Sequence, residues 1–138
     1  MTTKVILTGG CGFIGHHFAE HVLKNTDWEL IIIDKLTYAS KGYSRLRDNG
    51  VLASPRVRVF CNDLAVPFPK GLVDEIGEVD YIIHMAAETH VDNSIRDPVP
   101  FVQNNVNSTL YLLEYARTLP SLKKFIYFST DEVYGPAL

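Results

Sequence analysis

Five short apolar runs alternate with helix-length segments along the chain, and this alternation predicts the fold. The runs cover residues 4–8, 29–34, 57–62, 80–86 and 123–129. Most are apolar at successive positions, which is typical of strands buried on both faces of a parallel sheet. Right-handed crossovers through the intervening helices then give an α/β, Rossmann-type doubly wound sheet of five strands in the order 3-2-1-4-5.

Helical periodicity is clear in two of the intervening segments. Apolar residues recur at i, i+4 and i+8 across residues 13–24, which predicts an amphipathic helix packed on the sheet. A longer helix is expected before the fifth strand, with Asp97 as its cap and Pro98 in its first turn. The residues expected to form its buried stripe are Val102, Val106, Leu110 and Leu113. Residues 43–52 are expected to include a helical turn or two.

Composition and charge exclude several classes of partner. The chain has 138 residues, of which 46% are hydrophobic and 21% charged, as in an ordinary globular domain. The net charge is −3 with no concentration of Lys and Arg, and no apolar run approaches a membrane span, so neither a nucleic acid nor a membrane is expected as partner. Cys11 and Cys61 lack metal-ligand spacing, and His17 and His21 have no evident third ligand, so no metal is expected. The low cysteine count and the absence of a signal-like start favour the cytoplasm.

The segment TGGCGFIG, residues 8–15, lies between the first predicted strand and the first predicted helix. Gly9 permits a tight turn, and Gly12 lets the backbone approach a pyrophosphate closely. Gly15 lets the helix lie close to the strand. Asp34 ends the second strand, where it can accept hydrogen bonds from the ribose hydroxyls of an adenosine. A carboxylate would repel a 2′-phosphate, so NAD is favoured over NADP, although Lys35 weakens that preference. The alternative is an ordinary strand–helix turn with a surface aspartate.

Polar or small residues also follow the third and fourth strands, at the edge where a doubly wound sheet binds its ligands. Asp63 can hydrogen-bond an adenine amino group, or it can cap a helix. Ala86 and Ala87 are small enough for their backbone to pass close to a cofactor. His84 is expected to be a hydrogen-bonded structural residue, and Cys11 to fill a small buried space.

Two adjacent carboxylates, Asp131 and Glu132, follow the fifth strand in STDEVYG, residues 129–135. In a partly desolvated crevice the two carboxylates repel each other, and this repulsion raises the pKa of one of them. That group can then act as an acid while the other acts as a base. The alternative is a polar turn with a helix cap.

Several motifs taken together resemble those of a known family. They are GGCGFIG (9–15), DKLTYA (34–39), HMAAETHVDNSI (84–95), FVQNNVNST (101–109) and STDEVYG (129–135). On these motifs the chain resembles the extended short-chain dehydrogenase/reductase family. Within that family it is similar to the nucleotide-sugar 4,6-dehydratases that act on dTDP-glucose. The resemblance covers essentially the whole chain.

The resemblance implies a reaction and a set of site residues. A nucleotide-linked glucose is oxidised at C4 by NAD, water is eliminated across C5 and C6, and the hydride returns to C6. Glu132 is implied as the base at C5, Asp131 as the acid at the C6 hydroxyl, and Thr130 as a hydrogen-bond donor at the C4 oxygen. Thr89 and His90 are implied to face the sugar. The expected cofactor-binding residues are Gly9, Gly12, Phe13, Ile14, Gly15, Asp34, Lys35, Leu36, Thr37, Asp63, Leu64, Ala86, Ala87 and Glu88.

The family's Tyr-x-x-x-Lys pair follows STDEVYG in its members and has no counterpart before Leu138. The resemblance therefore predicts that residues 1–138 are an incomplete NAD-binding domain without the nucleotide-sugar-binding region, inactive alone. Family dimers use the helix at 98–117, so a homodimer is expected for the full-length form, and this chain should expose apolar surface on that helix. Two alternatives stay open: an NAD-binding module without catalysis, and a nucleotide-sugar 4-epimerase or decarboxylase of the same family.

Overall fold

A computed structural model of the chain describes residues 2–36, 41–87 and 91–136, without the side chains of Val91 and Glu132. The strands are Lys4–Thr8 (β1), Glu29–Asp34 (β2), Val57–Cys61 (β3), Tyr81–His84 (β4) and Lys124–Tyr127 (β5). The helices are Phe13–Asn25 (α1), Ser44–Asp48 (α2), Lys70–Ile76 (α3), Val91–Arg96 (α4) and Pro98–Ala116 (α5), with single 3₁₀ turns at Val51–Ala53 and Asp131–Val133. The strands form one parallel sheet in the order β3-β2-β1-β4-β5. The predicted doubly wound α/β fold and its strand order are confirmed.

The first two strands have their predicted limits, whereas the other three are shorter. The differences are largest in β4 and β5, and β4 ends at His84 although the pattern predicts strand up to residue 86. Beyond this point the N–H groups of Met85 and Ala86 both donate to the hydroxyl oxygen of Thr8, each at 3.1 Å. The N–H of Met85 is shared with the carbonyl oxygen of Thr8 at 3.3 Å, whereas that of Ala86 donates to the hydroxyl, and the regular pairing of β4 stops there.

Alternate residues of the strands fill two cores, one on each face of the sheet. On one face Ile6 and Ile31 pack with Leu112 of α5, all at most 1% exposed. On the other face Leu7 packs with Ala19 of α1, and both are fully buried. The helices thus cover both faces, which leaves the carboxyl ends of the strands as the place for a ligand.

The predicted buried face of α5 is wrong. Four side chains expected in that stripe are between 46% and 58% exposed: Val102, Val106, Leu110 and Leu113. The buried residues of the helix are Ser108, Leu112, Tyr115 and Ala116. The helix carries apolar residues on both sides, and the sheet contacts the side whose small Ser108 and Ala116 permit close approach. The expected exposure of apolar surface on this helix is accordingly confirmed.

Local features around α5 and α2 agree only in part with the sequence pattern. Asp97 occupies the N-cap position of α5, but its side chain makes no capping hydrogen bond, while Pro98 lies in the first turn as predicted. The segment after β4 contains the short helix α4. The expected helical turns within 43–52 are α2 and the 3₁₀ turn that follows it.

None of the described helices combines the length and apolar character needed to cross a bilayer.

Candidate cofactor and active site

The glycine loop between β1 and α1 is closed by its own backbone. The N–H of Gly12 donates to the carbonyl oxygen of Gly9 at 3.0 Å, and Gly9 has a φ of 75°. A Cβ on Gly9 would lie 2.9 Å from the backbone of Ala86, and a Cβ on Gly15 would collide with the carbonyl oxygen of Gly9. Glycine is therefore required at both positions, because a methyl group would separate backbone segments that are in contact.

Helix α1 begins directly after this loop, at Phe13. The first N–H groups of a helix have no acceptor within it, and the positive end of the helix dipole lies at the same place. Phe13, Ile14 and Gly15 line a cavity of about 690 Å³, together with Gly9 and Gly12. This end of the cavity is suited to an anionic group such as a pyrophosphate.

Asp34 lines the same cavity and is only 7% exposed. One of its carboxylate oxygens accepts a hydrogen bond from the N–H of Cys11 at 3.0 Å, and the other accepts from the N–H of Leu36 at 2.7 Å. The carboxylate is thereby fixed between the glycine loop and the segment after β2, with lone pairs left for ribose hydroxyls. Lys35 also lines the cavity, whereas the side chain of Leu36 packs in the core and does not.

Asp63 and Leu64 follow β3 and line the cavity as well. Asp63 accepts a hydrogen bond from the N–H of Ala65 at 2.9 Å and lies 3.8 Å from the ammonium group of Lys35. Helix α3 begins only at Lys70, so Asp63 stabilises a turn and the helix-cap alternative is wrong. Its contact with an adenine stays a prediction.

The segment after β4 forms the neighbouring wall. Met85, Ala86 and Ala87 line the cavity, and Ala86 lies against Gly9 as described above. Four further predicted site residues lie outside the described part of the chain: Thr37, Glu88, Thr89 and His90.

The first half of α5 forms a wall that the sequence-based site prediction missed. Its lining residues are Phe101, Asn104, Asn105 and Ser108. They recur at i, i+3, i+4 and i+7, so one stripe of the helix faces the cavity. Gln103 and Asn107 in the same half of the helix are polar as well and do not line the cavity, so polarity alone gives no signal that identifies this stripe.

The segment after β5 completes the cavity with one of the three predicted catalytic residues. Thr130 lines the cavity, whereas Asp131 is exposed, and the side chain of Glu132 is outside the described set. The partly desolvated environment expected for the carboxylate pair is thus not found at Asp131. Strand β5 lies at the edge of the described sheet, so no strand described here covers its outer side.

Two titratable groups near the cavity are buried. Burial, and then the nearby carboxylate of Asp34, raises the pKa of the Cys11 thiol to about 12, which agrees with a packing role. The ring nitrogens of His84 lie 2.6 Å from the hydroxyl of Thr8 and 3.0 Å from that of Thr109, and burial lowers its pKa to about 4. The prediction of a hydrogen-bonded structural histidine is confirmed. Within the described ranges, no three His, Cys, Asp or Glu side chains are arranged to hold a metal ion.

The sheet order, the glycine loop that opens α1 and the buried aspartate after β2 together define a Rossmann-type domain. The sequence model of the NAD dependent epimerase/dehydratase family matches residues 5–138. The chain belongs to this NAD-dependent family.

Several characterised proteins are similar to the chain. The dTDP-D-glucose 4,6-dehydratase of Dictyostelium discoideum is 40% identical in an alignment 145 positions long. The alignment covers 98% of this chain and 30% of that protein. The dTDP-glucose 4,6-dehydratase DesIV of Streptomyces venezuelae, solved with NAD bound, superposes with a TM-score of 0.85 at 38% identity, over 98% of this chain and 42% of that chain. The UDP-glucose 4-epimerase of Bifidobacterium longum, in complex with NAD+ and UDP, gives a TM-score of 0.80 at 30% identity, over 96% of this chain and 38% of that chain. The chain thus spans less than half the length of these relatives.

Proposed function

We propose that the chain binds NAD in the 690 Å³ cavity and forms the NAD-binding part of a nucleotide-sugar 4,6-dehydratase. The observation that carries the proposal is the extent of this single cavity, which is lined by the glycine loop and buried Asp34 as well as by Thr130 after β5. One cavity therefore joins the predicted adenosine contacts to the segment with the predicted catalytic residues. The similarity to two 4,6-dehydratases over 98% of the chain supports the same assignment.

The lining residues fit the parts of a dinucleotide. The N-terminus of α1 is suited to the pyrophosphate, because its first N–H groups lack helical acceptors. Asp34, fixed by two backbone N–H groups, is suited to the adenosine ribose and disfavours the 2′-phosphate of NADP. The small side chains of Ala86 and Ala87 leave room for a planar ring system beside the glycine loop.

The residues after β5 are proposed to act on a nucleotide-linked glucose, with dTDP-glucose as the favoured substrate. When bound, NAD supplies the hydride acceptor for oxidation at C4 and the hydride donor for C6. The tyrosine of the family's Tyr-x-x-x-Lys pair takes the proton of the C4 hydroxyl when the hydride leaves C4. Glu132 removes the proton at C5, which is acidic beside the C4 ketone, and Asp131 donates a proton to the C6 hydroxyl, which leaves as water. Glu132 returns its proton to C5 when the hydride reaches C6. Thr130 donates a hydrogen bond to the C4 oxygen. Because Asp131 is exposed, the bound sugar has to shield it from water for a desolvated site to form.

The exposed apolar face of α5 supports a further proposal, that two copies of the full-length protein pair through this helix. The side chains on this face are Val99, Val102, Val106, Leu110 and Leu113, each at least 46% exposed. Their spacing of three and four residues forms a continuous stripe, which is the pattern of a helix–helix contact.

A second candidate function is nucleotide-sugar 4-epimerisation. The 30% identity and TM-score of 0.80 to the Bifidobacterium longum 4-epimerase favour it. An epimerase would need the C4 oxidation but not the acid at C6. The role of Asp131 therefore separates the two reactions.

The test uses the complete gene product, incubated with dTDP-glucose and NAD. A product that has lost one water, detected by mass spectrometry, is the expected result. The Asp131→Asn variant should lose this elimination but still oxidise C4, seen as the absorbance of reduced NAD, while Asp74→Asn on α3 serves as the exposed control. A product of unchanged mass with inverted C4 would establish the epimerase. NAD binding without any product would leave only a binding module.

A further inference from the structure

We propose that His84 is a positioning residue of the cofactor site. As a neutral ring protonated at Nε2, it joins β1, the segment 85–87 and α5 through a hydrogen-bond chain of fixed direction. The members of this chain are Thr8, His84 and Thr109, and we refer to it as the His84 chain.

The Thr8 end of the His84 chain determines the state of Nδ1. The hydroxyl oxygen of Thr8 accepts from the N–H of Ala86 at 3.1 Å and from the N–H of Met85 at 3.1 Å, which Met85 shares with the carbonyl oxygen of Thr8 at 3.3 Å. A hydroxyl has two lone pairs and one proton, so only its proton is left for Nδ1 of His84, at 2.6 Å. If Nδ1 were the donor instead, the proton of a fully buried hydroxyl would be left without this acceptor.

The Thr109 end determines the state of Nε2 independently. The hydroxyl of Thr109 lies 3.1 Å from the carbonyl oxygen of Asn105, and because a carbonyl only accepts, the hydroxyl donates there. Its oxygen is therefore the acceptor for Nε2 of His84, at 3.0 Å, and Nε2 carries a proton. Both ends assign the same tautomer. The pKa of His84, lowered by burial to about 4, agrees with a neutral ring.

The His84 chain reaches three walls of the cavity without lining it. Thr8 precedes Gly9, whose backbone is packed against Ala86, and Ala86 is held to Thr8 by its N–H. At the other end, Thr109 lies beside Ser108 on the stripe of α5 that faces the cavity. The spacing between the glycine loop, the segment 85–87 and α5 thus depends on His84, although His84 itself does not line the cavity proposed for the ligand.

The tautomer is measured directly from the ¹⁵N chemical shifts of the imidazole rings at neutral pH. The chain has five histidines, and the signals missing from a His84→Asn variant identify the ring. We expect an unprotonated Nδ1 and a protonated Nε2. A protonated Nδ1, in either a neutral or a doubly protonated ring, overturns the proposal.

The positioning role is tested at Thr109, which does not line the cavity. Thr109→Val keeps the shape but removes the acceptor for Nε2, and should weaken NAD binding roughly three- to tenfold in calorimetry, since one buried hydrogen bond is lost. Thr109→Ser restores the hydroxyl and should restore the affinity. Thr118→Val is the matched control, because Thr118 also donates to a carbonyl of α5 but has no histidine partner. A folded Thr109→Val variant with unchanged affinity would show that His84 only supports the fold.

The affinity readout depends on the proposed function, because it takes NAD as the ligand. Failure of the unchanged protein to bind NAD would refute the proposed function and not the His84 chain. The amide hydrogen exchange of Met85 and Ala86 then decides, since both donate to Thr8. Exchange should be faster in Thr109→Val than in Thr118→Val, and equal exchange overturns the positioning role.

Discussion

Acidification from about pH 7 to about pH 5 should destabilise the fold through a single side chain, His84. Burial lowers its pKa in the folded chain from the ordinary 6.5 to about 4. Between these two pH values His84 is protonated in the unfolded chain but neutral in the folded chain. The free energy of unfolding therefore falls as the pH falls through this window. At about 1.4 kcal/mol per pKa unit, the loss from pH 7 to pH 5 amounts to about 2 kcal/mol, and below pH 4 it stops growing.

Urea unfolding followed by tryptophan fluorescence measures this loss, because the chain has one tryptophan and Trp28 is stacked on Tyr81 at 5.5 Å. Other groups also titrate, so the informative quantity is the difference in unfolding free energy between the unchanged chain and His84→Gln, which cannot titrate. That difference should shrink by about 2 kcal/mol from pH 7 to pH 5. The matched control is His21→Gln, which removes an exposed histidine from α1 that is outside the His84 chain.

A constant difference between the unchanged chain and His84→Gln would refute the linkage. If His84→Gln does not fold, an NMR titration of the unchanged chain gives the same information. A His84 ring that titrates near 6.5 would then contradict the pKa on which the magnitude rests.

Three further predictions follow from packing and exposure. Gly15→Ala should lower stability by about 1–3 kcal/mol in urea unfolding, because its methyl meets backbone of the glycine loop, whereas Gly71→Ala, whose Cβ has open space, should not. Arg56→Met should cost about 2 kcal/mol in the same measurement, because the guanidinium donates three hydrogen bonds of 2.7–3.1 Å, one to a carbonyl of the last turns of α1 and two to carbonyls of the segment between α1 and β2. A thiol reagent at neutral pH should label exposed Cys61 and spare Cys11, whose pKa is raised to about 12, and rapid double labelling in mass spectrometry would contradict this.

The sheet could be predicted from the sequence because its central strands β1, β2 and β4 are buried on both faces, whereas β3 and β5 are partly exposed. Residues 4–8 and 29–34 are apolar at every internal position and have the predicted limits. The end of β4 could not be predicted in this way, since it depends on the hydroxyl of Thr8, which is remote in sequence. A pattern of apolar residues contains no information about which side chain will accept a backbone donor.

The orientation of α5 shows a second limit. Periodicity identifies the helix, but apolar residues occupy two of its sides, and only the contact with the sheet selects Leu112 over Leu110 as the buried one. Because the buried face of α5 was predicted wrongly, the residues of this helix that face the cavity were not predicted either. Asn104 and Ser108 lie about 90 residues after the glycine loop, and the sequence pattern does not indicate that they face it.

Asp34 shows why the acid of the site was predictable while its orientation was not. Its position at the end of β2 follows from the strand pattern, yet its two oxygens are held by the N–H groups of Cys11 and Leu36. Leu36 donates from a φ of 60°, a conformation that costs a residue with a side chain about 1 kcal/mol or more. A hydrogen bond to a charged acceptor contributes about 1.5–3 kcal/mol, enough to offset that cost. Leu36 therefore shapes the site through its backbone, although its partly buried side chain packs against the core, and residue types alone cannot show such a contribution.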